Sequence, residues 1–275
     1  MQYYGADVMS NASDSIQQEL SRDGILRLTM NDKKRRNALS EEMMAGLSES
    51  INQASTNNAV RVIVIAANGP AFCSGHDLKQ MSAERNNVDK GHQYFKEVFS
   101  ICSALMQLIT NSPKPVIAEV SGVAAAAGCQ LVACCDLAIA SESARFVTPG
   151  VNIGLFCSTP MVALSRNVSN KAAMEMLLTG EMVDSEKAEH IGLVNRVVED
   201  NNLTESTMTM AKLIASKSSM ILKTGKQAFY KQKEMSLSDA YDYTSSVMVE
   251  NMLKIDAQEG IDAFIEKRQP KWQDE

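Results

Sequence analysis

The chain has 275 residues, of which 45% are hydrophobic and 22% are charged, and it carries a net charge of -6 at pH 7. These values are typical of a globular protein with one large domain, and the acidic balance argues against a nucleic-acid-binding protein, which needs a basic face. No apolar run approaches the ~18 residues that span a bilayer, so we expect no membrane contact either.

The first 20 residues contain no Lys or Arg and include Asp7, Asp14 and Glu19. A secretory signal and a mitochondrial presequence both need basic residues, so we predict a flexible leader over residues 1–20. The six cysteines form no CxxC pair and there are only three histidines, which predicts neither a metal site nor a disulfide framework. Reduced cysteines indicate a cytoplasmic protein, with the mitochondrial matrix as the alternative if a presequence has been removed.

The first predicted elements alternate between strands and helices. Residues 25–30 alternate as a strand does, a basic loop follows at 31–37, and Ser40 is a good N-cap for a helix. Residues 60–66 form the clearest strand of the chain, which Asn-Gly-Pro at 68–70 ends.

The same pattern returns further along the chain. A helix over 91–109 precedes a strand at 116–120, a short helix begins near Ala127, and another strand covers 137–140. This strand–strand–helix unit recurs at intervals of roughly 50–60 residues, which indicates a repeat architecture.

Residues from about 158 onward are mostly helical, and the last helices are predicted at 236–254 and 259–267. We therefore predict an α/β (α+β) fold. A spiral core of repeated ββα units is expected over residues 21–210, and a helical C-terminal region over residues 211–275.

Two segments rich in small residues each follow an apolar run. They are Ala-Phe-Cys-Ser-Gly-His-Asp-Leu at 71–78 and Val-Ser-Gly-Val-Ala-Ala-Ala-Ala-Gly-Cys-Gln at 120–130. Small residues let backbone N–H groups approach a ligand closely. Two N–H groups aimed at one carbonyl oxygen form an oxyanion hole, which stabilises an enolate or a tetrahedral oxyanion.

In the order of its short motifs the chain resembles the crotonase, or enoyl-CoA hydratase/isomerase, superfamily from about Gly24 to Trp272. The matching motifs lie at residues 36–40, 72–78, 115–118, 120–130, 135–136, 177–180, 188–194 and 259–268. Each motif is weak alone, but their order is specific, and the runs at 124–131 and 148–160 are typical of one branch. The resemblance implies a crotonase-type spiral, a coenzyme A (CoA) thioester as substrate, and no further cofactor.

The resemblance implies that the backbone N–H groups of His76 and Ala127 form the oxyanion hole, so the side chains at these two positions are not constrained. A simple turn after a strand is the alternative for residues 74–76. The His76 imidazole is a candidate acid–base group, since histidine titrates near neutral pH. Packing beside the thioester, or exposure to solvent, is the alternative for this side chain.

The resemblance also assigns residues to the rest of an acyl-CoA molecule. Those for CoA itself are Lys34, Arg35, Arg36, Ser74, Gly75, Asp77, Leu78 and, across a subunit boundary, Lys267. Basic side chains suit phosphates, and a solvated basic turn is the alternative for residues 34–36. The candidate walls of an acyl pocket are Met81, Phe95, Phe99 and Phe156, and core packing is the alternative for each.

Gln130 and Gly150 stand where hydratases of the family carry two glutamates, the general base and the general acid. A Gln amide orients a water but cannot take its proton, and Gly has no side chain. Loss of an acid–base group typically costs ~10²–10⁴-fold in rate, so we expect weak hydration unless another group acts. The candidate substitutes are His76, Glu119, Asp136 and Glu142.

The leading hypothesis is an enoyl-CoA hydratase, which adds water to a 2-enoyl-CoA, with weak activity. An acyl-CoA thioesterase or decarboxylase is one alternative, because decarboxylation needs the oxyanion hole but no base for a carbon-bound proton. A non-catalytic acyl-CoA-binding protein is the other.

We also expect a homotrimer or a dimer of trimers, with residues 211–275 as the trimerisation region. The reason is an apolar stripe at helical spacing that must be buried somewhere. It consists of Leu237, Tyr241, Thr244, Val247, Met248 and Met252. A monomer in which this stripe folds back onto the spiral core is the rival arrangement.

Overall fold

The computed structural model describes residues 15–275. The strands, in chain order, are β1 (Ile16–Leu20), β2 (Ile25–Met30), β3 (Val62–Ala67), β4 (Val116–Val120), β5 (Val123–Ala125), β6 (Leu137–Ser141), β7 (Arg145–Val147), β8 (Val183–Asp184) and β9 (Arg196–Val198). The helices are α1 (Glu41–Thr56), α2 (Leu78–Glu84), α3 (His92–Asn111), α4 (Ala127–Cys134), α5 (Ser158–Asn167), α6 (Asn170–Thr179), α7 (Ser185–His190), α8 (Leu203–Ala215), α9 (Ser219–Gln232), α10 (Leu237–Met252) and α11 (Ile255–Ile265). Short 3-10 turns cover Lys33–Arg35, Pro149–Ile153 and Asp200–Asn202.

A six-stranded sheet with the order β1-β2-β3-β4-β6-β9 forms the centre of the fold. β1 pairs with β2 antiparallel, and every other neighbouring pair in this sheet is parallel. A second sheet, β5-β7-β8, takes its first two strands from just after β4 and β6. Because parallel strands run in one direction, the loops that follow β3 and β4 leave the central sheet at the same edge.

Both faces of the central sheet are buried. Ile63 and Ile65 of β3 belong to the main core with α1, α3 and α4, whereas Val62 and Val64 belong to a second cluster with α8. Side chains alternate along a strand, so a strand covered on both faces is apolar throughout. This explains the unbroken apolar sequence of β3.

Local signals in the sequence act as predicted. The Ser40 hydroxyl accepts a 3.2 Å hydrogen bond from the Met43 N–H at the start of α1. Ser236 caps α10 in the same way, through the Asp239 N–H at 3.3 Å. The predicted ββα order is confirmed in β4–β5–α4. It is also confirmed in β6–β7, since these strands are followed by the 3-10 turn at Pro149–Ile153 and then by α5.

Two predicted boundaries are wrong. Residues 16–20 form β1, paired with β2, because Ile16 is buried in the main core; residues 1–14 of the predicted leader lie outside the described residues. The division between residues 210 and 211 cuts through α8, whose Ala211 and Ala215 pack on the central sheet. The spiral core therefore includes all of α8.

The stripe on α10 stays at the surface of the chain. Leu237 and Tyr241 are 77% and 68% exposed, and Met248 and Met252 are more than half exposed. The rival arrangement, in which this stripe folds back onto the spiral core, is therefore wrong for these four side chains. No helix in residues 15–275 combines the length and the apolarity needed to cross a membrane.

Candidate active site

The two segments rich in small residues meet at the edge of the central sheet where β3 and β4 end. Cys73 and Ala124 form a parallel bridge. The Cys73 N–H donates to the Val123 carbonyl at 3.1 Å, and the Cys73 carbonyl accepts from the Ala125 N–H at 2.8 Å. A Cβ on Gly128 would lie 2.2 Å from the Cys73 carbonyl oxygen. Only glycine fits there, so the first turn of α4 packs directly against the segment that follows β3.

Gly75 places the backbone just before His76 close to the start of α4. Its backbone is left-handed, with φ of +87°, and a Cβ on it would lie 3.4 Å from the Ala127 nitrogen. Ala126, also at positive φ, turns the chain into α4. Within residues 15–275, neither the His76 N–H nor the Ala127 N–H donates to another group of the chain. We name residues 73–76 and 124–128 the carbonyl cradle, because two such N–H groups can bind one carbonyl oxygen.

The His76 imidazole lies next to the cradle. Its ring nitrogens are buried and make no hydrogen bond of normal geometry among the described residues, and the Leu39 backbone is the polar group beside the ring. The ring packs edge-on against Phe99 of α3, with 5.4 Å between ring centroids. Burial lowers the pKa of His76, because the charged form is poorly solvated there. The imidazole is therefore neutral at pH 7.

The positions expected for two glutamates carry no acid. Gln130 of α4 is 4% exposed, and its Oε1 has no hydrogen-bond partner within the described chain. Gly150 is buried, and a Cβ on it would lie 2.9 Å from the Cys157 Sγ and 3.0 Å from the Leu155 carbonyl oxygen. The Cys157 thiol and the Leu155 carbonyl thus together occupy the space that a side chain at position 150 would need. We name Gln130, Gly150 and Cys157 the amide–thiol wall.

Asn37 fastens the basic loop to the segment that leads into the cradle. Its buried Nδ2 donates to the Asn68 carbonyl at 2.9 Å and to the Ala71 carbonyl at 2.8 Å. Its Oδ1 accepts from the Asp32 N–H at 2.8 Å. The φ of +53° at Asn37 is left-handed, a conformation in which Asn is enriched. The loop therefore has a fixed position relative to the cradle.

The three residues of this loop that are expected at CoA, Lys34, Arg35 and Arg36, differ in their ion pairs. The Arg35 guanidinium pairs with Asp32 and lies 3.4 Å from Glu42. These carboxylates neutralise Arg35, so it is a poor candidate for a phosphate. Lys34 and Arg36 are exposed, and neither forms an ion pair within residues 15–275.

A cavity of about 590 Å³ adjoins the cradle. Its lining includes Arg36 and Ser74 on the side of the basic loop, Ala125 of the cradle, and Pro149 and Met182 on the far side. The volume falls within the ~300–1,000 Å³ typical of small-molecule sites. The cavity therefore extends from Arg36 to Ser74 and Ala125, whereas His76 and Ala127 are not part of its lining.

The other residues expected at CoA have separate positions. Ser74 lines the cavity, Gly75 shapes the cradle, and Leu78 is 53% exposed at the start of α2. The Asp77 carboxylate caps α2, where it accepts from the Lys79 N–H at 3.0 Å. Because the Asp77 side chain caps the helix, the groups that residues 77–78 can offer to a ligand are those of the backbone.

The structure separates the four candidate residues of an acyl pocket. Phe99 contacts His76, and Met81 is half-buried against the main core. Phe95 packs at the turn between α2 and α3, where its ring lies 3.0 Å from the position of a Cβ on Gly91. Phe156 is 41% exposed in the loop before α5. Of the four, Phe99 is the candidate that touches the cradle.

Lys267 follows α11 at the start of the C-terminal tail. The tail that contains it is anchored near the amino end of β3, where Asp274 pairs with Arg61 at 2.9 Å. Trp272 donates from Nε1 to the Ser216 carbonyl at 2.9 Å in the same region. The cradle follows the carboxyl end of this strand, which is ~20 Å long.

The three carboxylates considered as substitutes for the glutamates face elsewhere. Glu119 is buried on β4 beneath α8, and Asp136 pairs with Lys226 at 2.7 Å. Glu142 is exposed after β6. Of the four candidate substitutes, only His76 lies at the cradle.

All six cysteines are buried and unpaired. Burial raises the pKa of the Cys73 thiol and of the Cys129 thiol to about 12. It also raises the pKa of Cys157. Thiols with such pKa values stay protonated, which makes them poor nucleophiles.

The sequence analysis missed roles for Asn37, Gly128 and Cys157. An Asn at the end of a basic run was a turn signal that could have indicated Asn37. The glycine at the start of a small-residue helix indicated a close backbone approach near residue 128. No local signal indicated that Cys157 fills the space beside Gly150.

Comparison with known proteins agrees with this architecture. The family model described as enoyl-CoA hydratase/isomerase matches residues 21–275. The chain is 49% identical over 253 residues to the human protein named enoyl-CoA hydratase domain-containing protein 3, mitochondrial, and the match covers 92% of this chain and 82% of that protein. The branch indicated by the runs at 124–131 and 148–160 is that of this relative, which confirms the resemblance.

Two crystal structures are similar over nearly their whole length. An enoyl-CoA hydratase from Mycobacterium smegmatis has a TM-score of 0.91 and 46% identity, with 94% of this chain and 99% of that chain covered. Human enoyl-CoA hydratase domain-containing protein 3 has a TM-score of 0.88 and 47% identity, with 94% and 100% covered. These neighbours confirm the predicted fold class.

Proposed function

Since the chain belongs to the enoyl-CoA hydratase/isomerase family, we propose that it binds acyl-CoA thioesters and polarises the thioester carbonyl with the N–H groups of His76 and Ala127. The observation that carries this proposal is the carbonyl cradle, where Gly75 and Gly128 allow two unpaired N–H groups to come together. One donor of this kind is worth ~10²–10³-fold in rate where an oxyanion forms.

The nominal reaction is the addition of water to a 2-enoyl-CoA, at a low rate. The amide–thiol wall supplies no carboxylate to take a proton from water or to give one to the carbon. Gln130 is able to accept a hydrogen bond from a water through its unpaired Oε1. That contact orients the water but leaves its proton in place.

Decarboxylation or hydrolysis of an acyl-CoA is the second candidate. The observation in its favour is that Cys157 closes the space beside Gly150, so no acid or base enters the site from that side. Decarboxylation needs a stabilised enolate but no base for a carbon-bound proton. A site that binds acyl-CoA without turning it over is the third candidate.

The phosphates of CoA are assigned to Arg36 and Lys34. Arg36 lines the cavity that adjoins the cradle, and a guanidinium binds phosphate oxygens through two parallel hydrogen bonds. Lys267 is assigned to the CoA of another subunit, as the family resemblance implies.

A trimer or a dimer of trimers is part of the proposal. The exposed side chains of α10, among them Leu237 and Tyr241, support it because closed symmetry buries such a stripe without aggregation. Light scattering during size exclusion at micromolar concentration should give three or six times the 30.0 kDa chain mass. A mass of one chain contradicts the trimer and the role of Lys267.

The cellular location is the mitochondrial matrix in this proposal. The human relative carries the word mitochondrial in its name, which favours the matrix over the cytoplasm that the sequence analysis predicted. Fractionation of cells that produce the full chain distinguishes the two compartments.

Calorimetry with acetyl-CoA and acetoacetyl-CoA tests the binding proposal. Saturable binding is expected, and a variant with Arg36→Gln serves as the matched comparison for the CoA end. Absence of binding at millimolar ligand contradicts every version of the proposal.

Turnover assays then separate the three candidates. Crotonyl-CoA tests hydration, a malonyl-type CoA tests decarboxylation, and a saturated acyl-CoA tests hydrolysis. Binding without turnover of any of them supports the binding protein.

A further inference from the structure

The direction of the His76 N–H is set by a hydrogen bond on the far side of its own peptide unit. A trans peptide is planar, so its C=O and its N–H point in opposite directions. The His76 N–H shares a trans peptide with the Gly75 carbonyl, and that carbonyl accepts from the Leu39 N–H at 2.8 Å. The His76 N–H therefore points away from Leu39.

The two donors of the cradle differ in what holds this carbonyl. The Ala127 N–H shares its peptide with the Ala126 carbonyl, which accepts from the Gln130 N–H at 3.0 Å in the first turn of α4. The regular repeat of a helix fixes such a bond. Leu39 lies between the 3-10 turn at Lys33–Arg35 and α1 and belongs to neither. Its N–H stays in place only if the segment around it is held.

The turn that precedes Leu39 contains two left-handed residues that are not glycine. Arg36 and Asn37 both have φ of +53°. Sparsely populated conformations of this kind persist only where the surroundings impose them, and they are most frequent at functional sites. The turn therefore needs a group that holds it in this shape.

The Asn37 side chain is that group, and it is completely buried. Its Nδ2 donates to the Asn68 and Ala71 carbonyls, and its Oδ1 accepts from the Asp32 N–H. The Asn37 backbone N–H adds a bond to the Asp32 carbonyl at 2.8 Å. One side chain thus joins the turn to the segment that enters the cradle.

Residues 36–39 lie along the cradle as the outer strand of a short ladder. The Ser74 N–H donates to the Arg36 carbonyl at 3.1 Å, and Leu39 and His76 form a parallel bridge. Arg36 also lines the cavity, whereas Asn37 does not. Any influence of Asn37 on a ligand carbonyl must therefore pass through this backbone ladder.

We infer that Asn37 is a positioning residue, which holds the Leu39 N–H against the Gly75 carbonyl and so aims the His76 N–H at the thioester oxygen. A hydrogen bond weakens steeply as its angle departs from linear, so a donor that turns away polarises the carbonyl less. The inference rests on the proposed binding of acyl-CoA.

The stretching frequency of a bound thioester carbonyl tests this role, because it reports the polarity of the C=O bond. Acetyl-CoA with a ¹³C-labelled carbonyl is added at a saturating concentration, which calorimetry sets for each protein. The wild type should lower the frequency relative to the free ligand. Asn37→Gly removes the side chain, and glycine adopts the left-handed φ freely. This variant should lose about half of the lowering, since one of the two donors loses its alignment.

Asn37→Asp provides a second variant if Asn37→Gly does not fold. Aspartate is also enriched in the left-handed region, and its Oδ1 can still accept from the Asp32 N–H. Its carboxylate cannot donate to the Asn68 and Ala71 carbonyls. The same loss of about half of the lowering is expected, since the same donor is affected.

Asn167→Ala is the matched control. Its Nδ2 also donates to two backbone carbonyls, those of Ala133 and Ala163, each at 2.8 Å. The loss of these bonds should lower the melting temperature, which circular dichroism measures for every variant. The frequency of bound acetyl-CoA should stay that of the wild type, because neither carbonyl belongs to the ladder.

The possible outcomes separate the inference from the proposed function. A folded Asn37→Gly or Asn37→Asp that lowers the frequency as far as the wild type overturns the inference. An equal loss in Asn167→Ala overturns it too, because any destabilising substitution would then have the same effect. A wild type that does not bind acetyl-CoA, or binds it without lowering the frequency, contradicts the proposed function and the inference with it.

Discussion

The carbonyl cradle and the amide–thiol wall both include residues of α4 but depend on different kinds of atoms. In the cradle the backbone is fixed tightly, since a Cβ on Gly128 would lie 2.2 Å from the Cys73 carbonyl oxygen. In the wall, Gln130 and Gly150 stand where the family resemblance implies two carboxylates. The cradle depends on main-chain atoms, whereas the wall depends on side chains.

This difference separates binding and polarisation of a carbonyl from the supply of protons. The cradle provides two N–H groups whatever side chains flank them, and it needs glycine at Gly75 and Gly128. The wall loses its acid–base function as soon as the carboxylates are absent. Stabilisation of an oxyanion can therefore persist in a chain that hydrates poorly.

Placing carboxylates in the amide–thiol wall should have the largest effect, which is on the rate of hydration. Gln130→Glu with Gly150→Glu and Cys157→Gly should raise the rate of crotonyl-CoA hydration by ~10²-fold or more, because both proton-transfer groups return. The pair Gln130→Glu and Gly150→Glu without Cys157→Gly should gain far less, since a Cβ at position 150 would lie 2.9 Å from the Cys157 Sγ. Steady-state rates of the three proteins provide the comparison.

The control for that prediction is acetyl-CoA binding, which should be similar in all variants. A wild-type kcat at or above ~10³ s⁻¹ would show that another base already operates. Equal gains with and without Cys157→Gly would show that the thiol is no obstacle.

A substitution that disrupts the backbone packing of the cradle should have the next largest effect, which is on the free energy of unfolding. Gly128→Ala should destabilise the fold by about 3 kcal/mol, the upper end for overpacking of a rigid site, because the Cys73 carbonyl is backbone and cannot move away alone. Urea denaturation measures the free energy of unfolding.

Gly225→Ala is the matched control. A Cβ there meets nothing within 4 Å in the middle of α9. This variant should be neutral or stabilising by ~0.5–1 kcal/mol. Similar losses in both variants would contradict the tight cradle.

Much of the fold follows from local sequence, but the spatial neighbours of the site do not. The strands β2 and β4 match their predicted bounds, and Ser40 caps α1 as expected. The helix predicted at 259–267 begins instead at Ile255, because its N-cap residue Lys254 makes no side-chain cap that the sequence could reveal.

The site shows the same division. Small residues predicted where the cradle lies, since glycine is needed wherever backbone approaches backbone. The neutralisation of Arg35 by Asp32 and Glu42, and the position of Cys157 beside Gly150, depend on how separate segments pack. Spacing in the sequence carries no signal for such contacts.

A smaller effect is expected at the CoA end of the cavity. Arg36→Gln should weaken acetyl-CoA binding ~10-fold, as loss of a charge-assisted hydrogen bond at a partly exposed site does. Arg35→Gln should weaken it less, because carboxylates already neutralise that guanidinium. Calorimetry at two salt concentrations checks both variants, and a larger loss for Arg35→Gln would reverse the assignment.

The smallest effect is expected on how the free energy of unfolding changes with pH. His76 has a lowered pKa in the folded protein, so below pH ~6.5 the unfolded chain binds a proton that the folded chain does not. The free energy of unfolding should therefore fall as the pH drops through this window. His76→Phe should flatten that decline, and denaturation curves at several pH values measure it. An identical decline in the variant would show that His76 is not the group responsible.

Isotope-edited infrared spectroscopy tests the cradle most directly. Acetyl-CoA labelled with ¹³C at the thioester carbonyl reports the polarity of the C=O bond by its stretching frequency. If the N–H groups of His76 and Ala127 hold the carbonyl oxygen, the bound ligand should absorb at a lower frequency than the free ligand, in the wild type and in His76→Gln alike, because both keep the backbone donors. A bound thioester with the frequency of the free one would contradict the account.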